Sequence, residues 1–171
     1  MTEKRSLLVH FLAALAYRTQ KALRGAPPEF AEFRTMKDVR TPAELVRHMT
    51  SVLGYSRTFF IGGSYWPEPL PSFADEVARF HEMLELLAQH IRNGDELKNG
   101  ITEERLLQGP FADAMTHAGQ LAMLRRISGA PVAPENFVDA KVNPDHLGPN
   151  QAEPASPDER WPEAPAGWSS Q

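Results

Sequence analysis

DAMTHAGQLAMLRRISG, residues 113–129, reads as a single helix that carries two side chains able to bind a metal. Asp113 and His117 are four residues apart, so they stand on one face, one turn from each other. Gln120, Leu124 and Ile127 continue the same line, and Gly129 supplies the stop at the C-terminal end. Such a helix needs partners to cover its apolar side.

Those partners lie upstream. Gly109-Pro110 is read as a restart of the chain, preceded by a short helical piece capped by Thr102 and by the loop NGDELKNG, 93–100. Before it comes a third helix from Phe73 to about Arg92, capped by Ser72. IGGSYWPEPLPS, 61–72, separates this from a second helix that is capped at Thr41, has Pro42 at its first position and runs to about Phe60. GAPPEFAEFRTMKDVRTP, 25–42, with two adjacent prolines, divides that from a first helix over Thr2–Leu23, whose stripe is Leu8, Phe11, Leu12 and Leu15. No alternation long enough for a sheet occurs, and no internal repeat. The expected fold is all-α, a four-helix bundle over residues 1–129 with its longest crossover between the first two helices.

The C-terminal part differs. From Ala130 onward it holds eight of the fifteen prolines, which excludes another regular helix. Val132, Phe137, Val142 and Leu147 are apolar anchors, so 130–150 is expected to lie extended against the bundle. Residues 151–171, Pro-rich and acidic, have the composition of a flexible tail, with Trp161 and Trp168 as candidates to dock on the body or a partner.

Charge follows the same division. Residues 130–171 hold seven acids and two bases, leaving the rest with 16 bases and 15 acids. A neutral body with an acidic tail lacks the basic stripe of a nucleic-acid surface. EKRSLLVHFLAALA, 3–16, has the outline of a signal peptide. Glu3, His10 in mid-run and the continuing helical pattern argue for a helix instead, and no run approaches the roughly 20 apolar residues of a membrane span. A cytoplasmic protein is the expectation. The absence of cysteine excludes disulfides, thiolate metal sites and an internal thiol nucleophile.

Histidine placement carries the functional reading. On the second helix Leu45, His48, Val52, Tyr55 and Phe59 are spaced 3, 4, 3 and 4, which puts His48 on an apolar seam while Arg47 and Arg57 face elsewhere. Helix bundles build metal sites from inward-projecting side chains on facing helices. His48, Asp113 and His117 would supply three ligands and leave positions open, a set that suits zinc, nickel or iron. The ordinary alternative is a core histidine and a surface Asp–His pair. Glu44, one turn before His48, could orient it or replace a missing ligand. Gln120, one turn beyond His117, could hydrogen-bond a water in the site or, as the readier account, close the helix packing. Both are weaker candidates for positioning a reacting group. His81 and His90 read as boundary residues of the third helix, and His10 as structural. Arg125 and Arg126 suit the last turn of their helix through its dipole, and His146 reaches the site only if the tail folds back.

The string THAGQLAMLRRISG, 116–129, with ELVRHMTSVLGY, 44–55, resembles the DinB/YfiT-like family of small helical proteins, over roughly residues 4–129. The resemblance implies a four-helix bundle with a histidine on the second helix and an H-x-x-x-H-[RAE]-G-Q element on the fourth. His48 and His117 occupy two of those positions, and Asp113 stands where the family has the first histidine of the pair. It further implies a metal-dependent transferase, isomerase or hydrolase in which a low-molecular-weight thiol or water attacks a small-molecule substrate. A homodimer is the expected assembly. The Asp113 departure keeps a non-catalytic binding or dimerisation protein with a degenerate metal site as the alternative.

Overall fold

The computed structural model describes residues 1–154; Trp161 and Trp168 lie outside the described residues. Among those residues the chain is all-helical, with four long helices and no β-strand. They are α1 (Glu3–Leu23), α2 (Pro42–Ile61), α3 (Phe73–Asn93) and α5 (Ala112–Ile127), with the short α4 (Glu103–Leu106) before the last. The starts follow local chemistry. Side-chain oxygens of Thr2, Thr41, Ser72 and Thr102 each accept a backbone N–H from the first turn of the helix they precede. At α2 the capping box is complete, because the Glu44 carboxylate accepts the Thr41 N–H in return.

Gly109-Pro110 does not restart the chain. Leu107–Phe111 forms a π-helical turn that joins α4 to α5 without a break. Pro110 has no N–H to give, and a π-turn absorbs such a residue by widening the ring instead of ending the helix.

α1 packs on α3 and α5, and α2 packs on the same two, so α1 and α2 sit across from each other. Side-chain contacts give the directions. Arg125, near the end of α5, reaches carbonyls at the end of α1, so those helices run parallel. Arg47 lies 3.7 Å from Glu76, and the Phe60 ring stacks on His90, so α2 and α3 also run parallel. The 24–41 connection therefore joins two neighbouring ends, although it is the longest. The connection that crosses the molecule is 62–72. It returns along α2, with Tyr65 against Gly54 and Trp66 beside His48. α2 spans about 30 Å and eleven extended residues reach about 36 Å, so the shorter loop suffices.

The core is built from Leu12, Leu15 and Ala16 of α1, Met49 and Leu53 of α2, Phe80, Leu84 and Leu87 of α3, and Phe111, Ala114 and Leu121 around α5. On α2 the buried stripe is Leu45, Met49, Leu53 and Phe60, flanked by Val46. The expected seam through His48, Val52, Tyr55 and Phe59 is rotated to its edge: Tyr55 is 56% exposed and His48 half-buried. Both lines satisfy helical spacing. The Met49 line wins because it faces the junction of α3 and α5.

Residues 130–154 lie on α1 and α3 and are held largely by side chains that grip their backbone. Lys21 donates to the Ala133 carbonyl, Arg92 to Pro144, and Arg24 to Gln151 and Ala152. Leu147 is fully buried. Phe137 is only partly covered, with the Arg18 guanidinium 3.8 Å from its ring centre. His81, expected at a boundary, is buried beneath this segment, its Nδ1–H donating to the Leu147 carbonyl at 2.6 Å. His10 is exposed on α1. No described helix is long and apolar enough to cross a membrane.

Candidate metal centre

α2 and α5 pack side by side, which brings the second turn of α2 against the first half of α5. His48 comes from the former, Asp113 and His117 from the latter. One ligand atom from each lies within 4.8 Å of the others. The two imidazoles meet edge to face with centroids 4.8 Å apart, and His117 Nε2 lies 3.4 Å from Asp113 Oδ1. Bonds of about 2.0–2.2 Å at a tetrahedral ion place neighbouring ligands about 3.4 Å apart. The Asp113–His117 pair already has that separation, and a ligand nitrogen of the half-buried His48 lies within 4.8 Å of both.

His117 is held in place by a neighbour one turn on. Its Nδ1 lies 2.8 Å from Gln120 Oε1, an oxygen that can only accept, so Nδ1 carries the proton. Nε2 is then the unprotonated nitrogen. It is buried and makes no hydrogen bond, which leaves a lone pair directed into the cluster. A buried acceptor without a partner is costly unless something occupies that direction. Burial, then the nearby Arg40 and His117, push the His48 pKa below its ordinary value, against the pull of Asp113. A neutral His48 is the form that binds metal. Asp113 is half exposed and adds the single anionic ligand. The residues present thus fit a divalent ion with a two-histidine, one-carboxylate set.

The weaker candidates divide. Gln120 positions His117, a role that neither packing nor contact with water had suggested. Glu44 does not orient His48. Its carboxylate is held low by the Thr41 N–H and by Arg34, which donates through Nη2 to both oxygens at 3.1 and 3.0 Å. His90 pairs with Asp95, and His146 with the Asn150 carbonyl; neither reaches the cluster. Arg125 is not a surface cation at a dipole but is buried, donating to the carbonyls of Ala22, Arg24, Gly25 and Ala130.

Three clefts open around the centre. One of about 490 Å³ beside His48 is lined by Lys37, Arg40 and Trp66 among others. A second, beyond Asp113, takes in Tyr55, Pro110 and Thr116. The third runs past Gln120. Arg40 and Trp66 escape a sequence reading because both lie in irregular connections, where no periodicity assigns a face. No family model matches the chain, and neither a curated protein nor a solved structure matches it.

Proposed function

We propose that this chain is a DinB-like four-helix-bundle protein in which His48, Asp113 and His117 hold a divalent metal, zinc, nickel or iron, for transferase or hydrolase chemistry on a small molecule. The observation that carries the reading is His117 Nε2: buried, free of hydrogen bonds, oriented by Gln120 and directed at Asp113 and His48. A divalent ion with open positions lowers the pKa of a coordinated thiol or water, so that a nucleophile exists at neutral pH. Because the chain has no cysteine, a thiol nucleophile comes from outside it, and a low-molecular-weight cosubstrate is the form we propose.

The residues divide the work. Gln120 fixes the His117 tautomer, Asp113 offsets one of the two charges of the ion, and Arg40 faces the approach to His48 as a fixed cation. The test is metal content by mass spectrometry on tag-free protein after incubation with zinc, nickel and iron, beside His48→Ala and Asp113→Ala. One ion per chain, lost in both variants, is the expected result. Wild-type protein without metal would turn the reading to a non-catalytic binding protein, whose site the Asp113 replacement has left degenerate.

A further inference from the structure

The third cleft is a groove of about 750 Å³ between the C-terminal half of α5 and the 35–40 loop. Its apolar walls are Met36, Val39, Leu45, Met123, Leu124 and Ile127. Met36 is 70% exposed, Met123 56% and Ile127 52%. Three large apolar side chains left in water on its two walls mark a surface that gains by being covered. The volume falls within the range of small-molecule sites, and methionine walls adapt to irregular apolar shapes.

One part of the groove is polar, and it lies toward the candidate metal centre. Gln120 lines it and holds His117; Arg40 lines both the groove and the cleft beside His48. Among the described residues no carboxylate lies within 4.0 Å of the Arg40 guanidinium, which offers a planar set of donors suited to an oxyanion. Asp38 also lines the groove and is the one acidic side chain there. It opposes an anion and so gives the recognition a second handle.

We infer that this groove binds a small amphiphilic carboxylate, with an apolar body along Met36, Met123 and Ile127 and its carboxylate head at Arg40. That this molecule is the substrate rests on the metal-centre reading; that it binds does not.

The experiment is calorimetric titration of the full chain, metal-free and zinc-loaded, with octanoate, 1-octanol and acetate. Octanoate is expected to bind once per chain and at least about tenfold more tightly than octanol, a typical margin for a charge-assisted hydrogen bond, with acetate undetected. Arg40→Gln should remove that preference and Arg40→Lys restore part of it. Asp38→Asn should tighten octanoate binding, and Met123→Gln should weaken octanoate and octanol alike. All three side chains are solvent-exposed, so these variants should fold. Equal affinity for octanoate and octanol, or a preference that survives Arg40→Gln, overturns the inference. So does a dimer that Met123→Gln dissociates while octanoate is not taken up, because the groove would then belong to a second copy of the chain. Zinc binding without octanoate uptake removes the inference and leaves the metal centre. Arg40-dependent octanoate uptake without zinc binding does the reverse.

Discussion

Gln120 and His117 form one unit, since the amide oxygen decides which imidazole nitrogen is available. Gln120→Leu keeps the size and removes the acceptor. It should weaken zinc binding about 10- to 100-fold while thermal stability stays near wild type, because Gln120 is exposed. A zinc titration against a chromophoric chelator reads this, and unchanged affinity would show that Gln120 does not set the tautomer. His81 poses a different problem. It donates through Nδ1 to Leu147, its Nε2 is buried without a partner, and burial pushes its pKa below the ordinary value of 6.5. As pH falls through about 6.5 the unfolded chain takes up a proton that the folded chain refuses, so stability is complete above that pH and declines below it. Denaturant midpoints of the metal-free protein should therefore drop between pH 7 and 5, and His81→Asn should flatten the slope.

At the scale of elements, ends and crossings decide. The Arg125 guanidinium occupies the C-terminal end of α1, where carbonyls lack helical partners, and it has no carboxylate within 4.0 Å among the described residues. Arg125→Met would leave several of those oxygens buried and unpaired, at a cost of about 3 kcal/mol in the unfolding free energy. A loss below about 1 kcal/mol would mean that water replaces the guanidinium. Two glycines make a contrasting pair. A Cβ on Gly54 would stand 2.0 Å from the Tyr65 ring, so Gly54→Ala must displace the returning 62–72 connection and destabilise. Gly119 lies within α5 with nothing within 4 Å of its Cβ position, so Gly119→Ala should stabilise by about 0.5–1 kcal/mol. Chemical denaturation of both variants checks the opposite signs.

For the whole molecule, the 130–154 segment acts as a strap. The Glu135 carboxylate is fully buried, accepts the Tyr17 hydroxyl at 2.5 Å and sits 3.1 Å from Lys21 Nζ. Burial, then the Glu135 hydrogen bond and charge, push the Tyr17 hydroxyl pKa well up, so it stays a donor. Tyr17→Phe would leave that carboxylate with one partner fewer in a buried site. The strap should then exchange amide hydrogens faster than α2 and α5, and hydrogen exchange across 130–154 measures it.

Sequence alone determined the helices, because caps and periodicity are local. Thr41, Ser72 and Thr102 announce three starts, and Gly129 marks a stop, which the structure places at positive φ. It also singled out His48, Asp113 and His117, by spacing and by resemblance. It did not show that a π-turn would carry the chain through Gly109-Pro110, which depends on α4 and α5 sharing one core face. Nor could it separate the His48 line of α2 from the Met49 line, since both obey the same period. Only the packing of α2 into the junction of α3 and α5 sends Met49 inward and leaves His48 at the edge, facing His117. The surroundings of Gln120, Arg40, His81 and Arg125 likewise depend on neighbours distant in sequence or on a particular rotamer. A local pattern records which side chains can share a face, but the burial and partners of each depend on what the other helices place opposite it.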